Sequence, residues 1–585
     1  MAFIANYTIR DLAASVLGCL LFLPLLLTPG YVAAWLTNIF GFRALTSPWR
    51  LLVSLPASVA LSPIATYWAG GGYFGRPGSW TPVFAIYGIC FLLWLLLLAG
   101  LWGHESCLRW LRGFASVPRA GWIVAVAWFC IAIASLVNLQ IDNRLYLSVT
   151  DWDHVTRAAF TDAITRTGAH PSNPFYFLGG TSAPLRYHYF WFLLCSLVTQ
   201  LGNTRSGELV PSQEAIIASI VWCGWSLIAL VPLYLRFFEG WRGARLRRGS
   251  LIGIALFAVT GLDIVPTVLY MAAGFPVLPD MEWWNNQVTS WLGSLLWVPH
   301  HVAALVSCLM GFLVSWDAAL AAPIQRRIAG GILAGAAFAT ATGTSIYVTL
   351  VFAAFLILWA LVTLLRGWRN HTAVLLIAGA VSVGLAAPFL LSLLTGPGTG
   401  AVAVNGGGSS FLALWIRTFF PVDAITSALQ LSSRAAALLD LATLPLNYFL
   451  ELGFFGVVAV SFIRCLRRQP PLQPPTVAAL LMFGVSVLVS TFVRSGVIAT
   501  NDLGWRGFLP AQFVMLLWGA EFLMRRGERA MADIEARARE RHQPCRDQHS
   551  GDVRIPDVPG EQLRRHHQIQ RHWQIRKPMP QRAAG

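Results

Sequence analysis

The sequence predicts an all-α, polytopic membrane protein with about 13 transmembrane helices. Hydrophobic residues make up 56% of its 585 residues and charged residues only 12%, whereas soluble domains carry roughly 25% charged residues. A soluble chain of this length would need more polar surface to cover itself, a requirement that lipid removes. The 25 Trp residues fit the same class, because indoles favour the headgroup boundary of a bilayer.

Apolar runs long enough to cross a bilayer recur along the whole chain. They lie at about 12–36, 51–68, 82–101, 122–140, 211–235, 250–272, 297–320, 328–343, 345–365, 372–394, 441–463, 475–493 and 507–524. Pro29 and Gly30 can break the first run into a hairpin, which leaves the side of the N-terminus open. His188–Gly202 is too short to span and is predicted to be a re-entrant or interfacial helix.

The net charge of +16 does not indicate nucleic-acid binding, because all but one of the 42 Lys and Arg residues are Arg, and these lie mostly in short clusters between apolar runs. This pattern is typical of the positive-inside rule. It predicts cytoplasmic Arg clusters and outward loops at about 141–210, 273–296, 395–440 and 494–506. The nine Cys residues have no paired spacing, which argues against a disulfide framework or a cysteine metal site.

Four regions follow from this organisation. Residues 1–118 are N-terminal membrane helices, and 119–395 are a catalytic membrane core that contains the outward loop 141–210. Residues 396–524 comprise a Gly-rich outward loop and the C-terminal membrane helices. Residues 525–585 form a basic and largely disordered tail, expected on the cytoplasmic side.

The loop at 150–191 contains the highest density of charged and other polar residues that could act on a substrate. Asp151 and Asp153 follow directly on a span, and the next residues alternate in a way that predicts an amphipathic helix on the bilayer surface. Gly168 is expected to end this helix, and 170–174 to form a rigid turn. The chain then returns to the membrane near Arg186 and His188. This arrangement places carboxylates at the membrane boundary beside an aromatic entrance.

This order of elements resembles the GT-C superfamily of membrane glycosyltransferases, with protein O-mannosyltransferases and aminoarabinose transferases as better-known members. The shared elements are the acidic pair 151–153 after a helix, the surface helix, the Gly turn, and an aromatic segment that ends in Leu201-Gly202. They cover roughly residues 120–345 and indicate a poorly characterised branch. The resemblance implies a GT-C-like fold and a polyprenyl-phosphate sugar donor. It also implies that Asp153 deprotonates or orients the acceptor, with Asp151 in support.

The chain departs from the superfamily pattern in three places. His154 follows Asp153 where a second acid is common, and Pro299-His300-His301 stands where many members carry an Asp. About three extra helices precede the core. These departures leave the donor and the residue roles open.

Other polar residues complete the predicted site. Arg186 and Arg506 are outward cations suited to a donor phosphate, and 500–507 is a second candidate wall. No nucleotide-binding glycine loop occurs. The residues predicted to bind substrate are His154, Arg157, Arg186, His188, Asp263, His300, His301, Asp502 and Arg506.

No metal site is predicted, because adjacent His300 and His301 on a helix point to different sides. No cofactor is specified, and a divalent cation stays open. The expected partners are the bilayer, a polyprenyl-phosphate-linked sugar, and an acceptor glycan, lipid or protein. The expected location is the inner membrane of a bacterial cell, with the site facing the periplasm or exterior.

Simpler interpretations stand beside these. Asp151 and Asp153 can be solvated acids or a helix cap, and Asp263 can be a structural charge at a helix break. The Trp residues at 283, 284, 291 and 297 are more typical of an interfacial belt than of a sugar platform. The alternative function is a transporter or flippase of a lipid-linked or anionic solute. A third is an inactive subunit of an envelope-assembly complex.

Overall fold

The computed structural model describes residues 6–71, 79–178, 180–204, 207–274, 287–395, 412–466, 472–496 and 501–542, and these are almost entirely helical. The helices are α1 Tyr7–Leu21, α2 Leu23–Leu26, α3 Thr28–Thr37, α4 Ser47–Gly70, α5 Thr81–Ala115, α6 Arg119–Leu136, α7 His154–Thr167, α8 Phe190–Gly202, α9 Ser212–Leu233, α10 Gly243–Ala255, α11 Ile264–Ala272, α12 Trp291–Trp297, α13 Pro299–Leu320, α14 Ile324–Thr344, α15 Ile346–Leu365, α16 Arg369–Thr395, α17 Phe420–Ala428, α18 Ser433–Leu452, α19 Phe454–Leu466, α20 Pro474–Phe492, α21 Asp502–Arg506 and α22 Leu509–His542.

Short antiparallel pairs lie between the helices. They join Leu139–Ile141 with Arg144–Tyr146, Ser172–Leu178 with Thr181–Pro184, Asn203–Thr204 with Gly207–Glu208, and Leu412–Leu414 with Val493–Ser495. The chain forms two compact units, Met1–Gly527 and Glu528–Gly585. The Gly-rich segment 397–410 and most of the predicted tail lie outside the described residues.

Ten described helices are long and apolar enough to cross a membrane, or eleven when a bent N-terminal pair counts as one span. The prediction of an all-α polytopic membrane protein is therefore confirmed, with fewer spans than the 13 expected. The outward faces of several helices are apolar, as contact with lipid requires. Ile89, Leu92 and Leu96 on α5 and Ile357 and Leu361 on α15 are exposed examples.

Two predicted spans are interrupted. The run 250–272 divides into α10 and α11, and 441–463 divides at Gly453, whose φ of +50° ends α18. The two breaks pack together, because Leu262 N donates a 2.6 Å hydrogen bond to Leu450 O. Helix breaks at membrane depth leave polar backbone groups unsatisfied, and this contact satisfies part of that need. Hydropathy alone does not reveal such breaks.

The predicted run 328–343 lies within α14, which is not among the ten spans because Gly, Ala and Thr lower its hydropathy. The first run bends by 42° between Leu21 and Leu23 and forms no hairpin at Pro29-Gly30. Pro29 instead occupies the first turn of α3, where a missing N–H is tolerated. Gly30 lies so close to α4 that a Cβ would fall 2.4 Å from Ser54 O.

The segment predicted to be re-entrant or interfacial forms the 13-residue helix α8, too short to span. Trp191, Phe192 and Leu193 are fully buried, so the helix packs inside the protein, and its re-entrant or interfacial placement stays a prediction. It contacts α4, α7 and α9. The entrance to the candidate site therefore rests on a rigid element.

Candidate functional site

A short hairpin and a 3₁₀ turn lead from α6 into the chemical loop. The hairpin pairs Leu139–Ile141 with Arg144–Tyr146, and the turn Val149–Asp151 follows. Helix α7 then begins at His154 and ends at Gly168, whose φ is +89°. The predicted Gly stop is thus confirmed. The rigid turn expected at 170–174 is wrong in part, because Ser172 already begins a strand.

Helix α7 buries polar side chains toward the protein. Val155, on the opposite side of the helix, is 68% exposed. The placement of this helix on the bilayer surface stays a prediction. The buried residues recur at helical spacing, which selects one side of the helix; they are His154, Arg157, Phe160, Thr161 and Ile164.

Asp151 and His154 form a buried pair. His154 Nδ1 lies 2.7 Å from Asp151 Oδ1, which makes an ion pair when the ring is protonated, although the angle is poor for a hydrogen bond. His154 Nε2 lies 2.9 Å from Leu296 O, and Gln213 Nε2 donates to Asp151 Oδ2 at 2.8 Å. Both ring nitrogens of His154 therefore face oxygen atoms, which fixes the orientation of the ring.

Only one of the two oxygens of the Asp153 carboxylate accepts hydrogen bonds from the described residues. Trp297 Nε1 donates to Asp153 Oδ2 at 2.8 Å, and Arg157 Nη2 donates to the same oxygen at 3.1 Å. Arg157 Nη1 also donates to Trp297 O. Arg157 is 4% exposed and Asp153 is 41% exposed. No described residue donates a hydrogen bond to Oδ1 of Asp153, so one oxygen of this partly exposed carboxylate is available to a substrate.

Arg506 adds a buried positive charge behind Trp297. Its guanidinium carbon lies 4.6 Å from the Trp297 ring centroid and 5.5 Å from that of Trp505, within cation–π range. Nη1 donates to Thr289 Oγ1 at 3.1 Å, and Nε has no hydrogen-bond partner among the described residues. Asn501 caps the short helix that carries Arg506 by accepting from Gly504 N.

Three imidazoles lie next to this group. His188, His300 and His301 are buried, with ring centroids 4.0 to 5.2 Å apart. Tyr187 Oη lies 3.2 Å from His300 Nε2, and Ser345 Oγ lies 2.7 Å from His301 Nδ1. The sequence argument that His300 and His301 diverge does not hold at this helix start.

Burial shifts the pKa values of the ionisable groups that lie near the start of α8. It lowers the pKa of His188 to about 3, with the Arg157 charge adding to the effect. Burial raises the pKa of Tyr187 well above its ordinary range, opposed by Arg157 and supported by the Asp502 carboxylate. Burial also lowers the pKa of Arg157, while its carboxylate neighbours resist that shift. His188 is therefore neutral at physiological pH.

The backbone between α12 and α13 connects the three groups. Leu296 O faces His154, Trp297 holds Asp153, and His300 and His301 follow in the first turn of α13. The predicted acids, Arg157 and the histidines are thus brought together with Arg506. Asp502 is half-buried and acts electrostatically on Tyr187. Arg186 is half-buried and directly precedes Tyr187.

Asp263 is not brought to this site by any described contact. It lies at the break before α11, where Thr260 Oγ1 donates to its carboxylate at 3.1 Å. It stands at a helix break, as the simpler interpretation of the sequence had it, and its intramembrane position stays a prediction. Its role in substrate binding stays a prediction.

Trp297 and Gln213 were missed as site residues. Trp297 was assigned to an interfacial belt, yet its indole binds Asp153, and Trp291 is buried in the protein. The belt interpretation is wrong for Trp291, it stays a prediction for Trp297, and the Trp residues at 283 and 284 lie outside the described ones. Trp297 stands directly before Val298-Pro299, and this helix-start signal could have marked it. Gln213 gave no such signal.

No protein-family model matches the chain. It is 22% identical over 475 residues to "Uncharacterized protein y4nK" of Sinorhizobium fredii, across 78% of this chain and 64% of that protein. The chain thus covers less than two thirds of this relative. It is also similar to the crystal structure of the apo Archaeoglobus fulgidus oligosaccharyltransferase, with a TM-score of 0.43 and 13% identity. That match covers 71% of this chain and 51% of the other. Neither match assigns an activity.

Proposed function

We propose that this chain is a membrane glycosyltransferase of the GT-C type, which moves a sugar from a polyprenyl-phosphate carrier to an acceptor on the non-cytoplasmic face. The observation that carries this proposal is the state of Asp153. Two donors fix Oδ2 of its carboxylate, and no described residue donates a hydrogen bond to Oδ1. A fixed, accessible carboxylate suits removal of a proton from an acceptor.

The proposed reaction needs one base and a positive environment for the leaving group. Asp153 takes the proton of the acceptor hydroxyl while the acceptor oxygen bonds to the anomeric carbon. The bond from that carbon to the phosphate oxygen breaks, and the polyprenyl phosphate leaves with the electron pair. Arg506 supplies positive charge behind Trp297, and Arg186 is the more accessible guanidinium for the phosphate.

Asp151 and His154 have a supporting role in this proposal. They are buried and joined to Gln213 and Leu296, so they do not reach an acceptor directly. Their contacts hold the turn that precedes Asp153. A fixed turn keeps the Asp153 carboxylate in the orientation that proton transfer needs.

Transfer in membranes is the direct test. Vesicles with and without the chain would be given a panel of radiolabelled polyprenyl-phosphate sugars, and label would be followed into acceptors. Label in a new product only when the chain is present supports the enzyme. Label that crosses the bilayer on an unchanged carrier would replace the enzyme with the transporter or flippase. If the assay shows no transfer, no transport and no donor binding, both the enzyme and the transporter are contradicted, and an inactive subunit is favoured.

The side of the membrane has its own test. Val155 is 68% exposed beside Asp153, and Arg247 is exposed in an Arg cluster. In a background without native Cys, Val155→Cys should react with an impermeant maleimide from the periplasm. Arg247→Cys should react only after the membrane is opened. The reverse pattern would place the site in the cytoplasm and contradict the proposed topology.

A further inference from the structure

We propose that His188, His300 and His301 bind a divalent transition-metal ion, with Zn²⁺ as the best match. One ring nitrogen from each residue lies within 4.8 Å of those from the other two. Modest side-chain adjustment brings such nitrogens to the Zn–N distance of about 2.0–2.1 Å. Ion binding at these residues does not depend on which solute the chain handles.

The rings converge because α13 starts directly after a break. His300 and His301 occupy its first turn behind Pro299, and their ring centroids lie 4.0 Å apart. His188 enters from the segment before α8, with its centroid 5.1 Å from His300 and 5.2 Å from His301. Two distant segments therefore surround one point with three imidazoles.

Two ring nitrogens in the cluster lack hydrogen-bond partners. His188 Nε2 and His300 Nδ1 are buried, and no described residue bonds to either. Burial of a polar nitrogen without a partner is unfavourable, and buried polar atoms are generally satisfied. Packing alone would be served as well by Phe. A bound ion would supply the missing partner.

One nitrogen of His300 and one of His301 are held as those of metal ligands usually are. His300 Nε2 lies 3.2 Å from Tyr187 Oη, and His301 Nδ1 lies 2.7 Å from Ser345 Oγ. A ligating imidazole is normally oriented by a hydrogen bond through its second nitrogen. In His300, Nε2 contacts Tyr187 and Nδ1 has no partner among the described residues. One nitrogen is thus available to bind an ion while the other fixes the orientation of the ring.

The donor set selects the class of ion. Three imidazoles without a carboxylate ligand suit Zn²⁺ and disfavour Mg²⁺ or Ca²⁺. Arg157 and Arg506 oppose a nearby cation, but Asp153 contacts Arg157 at 3.1 Å and Asp502 attracts Arg506. Three protein ligands leave a fourth tetrahedral position for water or a substrate oxygen.

Metal content of the purified full-length chain tests the site without an activity assay. The protein in detergent would be dialysed against a chelator, given Zn²⁺ and washed, and bound zinc would be measured by mass spectrometry. The matched variants are H300Q/H301Q in the cluster and H566Q/H567Q, an adjacent pair in the tail. His188→Gln is a third variant, and it lies before α8, outside the regular helices.

Wild type and H566Q/H567Q should retain about one Zn²⁺ per chain, whereas H300Q/H301Q and His188→Gln should lose it. Co²⁺ titration of the wild type should give the intense visible bands of a tetrahedral site, a readout that needs no variant. No zinc and no such bands in the folded wild type would overturn the proposal. Zinc lost only with the tail pair would show adventitious binding and would also overturn it.

Discussion

The indole nitrogen of Trp297 donates a 2.8 Å hydrogen bond to the carboxylate of Asp153, 144 residues away in the chain. This bond joins the loop after α6 to the break before α13. Arg157 reinforces it, because its guanidinium donates both to the Asp153 carboxylate and to the backbone of Trp297. The orientation of the proposed base therefore depends on a contact between two distant segments.

Trp297→Phe should reduce transfer without unfolding the protein. A hydrogen bond to a charged group contributes about 1.5–3 kcal/mol, so kcat/KM should fall about 10- to 100-fold. Trp225→Phe is the control, because its indole donates to Ala125 O away from the site. Equal losses in both variants would show a general effect of losing an indole hydrogen bond. Unchanged transfer in Trp297→Phe would contradict the positioning role.

Arg157→Ala should lower the thermal stability in detergent far more than Arg166→Ala on the same helix. Arg157 is 4% exposed, and its loss removes hydrogen bonds to the Asp153 carboxylate and to Trp297 O, a cost of about 1–3 kcal/mol. Arg166 is 75% exposed and pairs with Asp162 at 2.8 Å, so its loss should cost under about 1 kcal/mol. Similar melting temperatures for the two variants would disprove the buried arrangement.

Gly343→Ala should destabilise the packing of the short helix α8. A Cβ at Gly343 would lie 2.1 Å from Phe190 Cδ2, whereas a Cβ at Gly379 would meet no atom within 4 Å. Overpacking of this kind costs about 1–3 kcal/mol, while Gly379→Ala should be neutral or slightly stabilising. Thermal unfolding of the two variants checks this. An unchanged melting temperature for Gly343→Ala would mean that α8 is not packed there.

Glu239 should make stability depend on pH. Burial raises the pKa of Glu239 to about 7, Glu521 adds to the rise and Arg245 opposes it. The folded state thus holds the proton more tightly than the unfolded state. The resulting stabilisation is present below the pKa of a Glu in the unfolded chain, about 4.3. It is lost as the pH rises through the pKa of Glu239 in the folded protein. The wild-type melting temperature should fall more between about pH 5 and about pH 8 than that of Glu239→Gln.

The control for this pH effect is Glu208→Gln, which removes an exposed carboxylate in a short strand. Its melting temperature should follow the pH slope of the wild type. An equal slope in Glu239→Gln would show that Glu239 does not titrate differently in the folded protein.

The sequence predicted the class and part of the site because those features are local. Asp151 and Asp153 stand out as acids directly after an apolar run, and Arg506 lies in a polar segment beside another. Trp297 could not be assigned in this way, because its partner is distant and a Trp near a membrane boundary is common. The divergence expected of His300 and His301 assumes the middle of a regular helix, and they occupy a first turn.

The break at Gly453 was missed, and the break near Asp263 was given only as an alternative, for a similar physical reason. A hydropathy average over 441–463 stays high across Gly453, whose left-handed φ ends the helix. The break at 259–263 is stabilised by a hydrogen bond to Leu450 from another helix. Neither feature leaves a local hydrophobic signal. Tertiary contacts therefore decided where these two predicted spans end.

The most direct test of the central claim compares Asp153→Asn with Asp162→Asn in the sugar-transfer assay. The two carboxylates are matched in their surroundings. Asp153 directly precedes α7 and Asp162 lies within it. Each pairs with the Arg four positions further along the chain, and they are 41% and 40% exposed. If Asp153 is the acceptor base, Asp153→Asn should lose transfer by about 10²- to 10⁴-fold while both variants still unfold cooperatively above the assay temperature. Asp162→Asn should retain activity. Full activity in a folded Asp153→Asn variant would contradict the account.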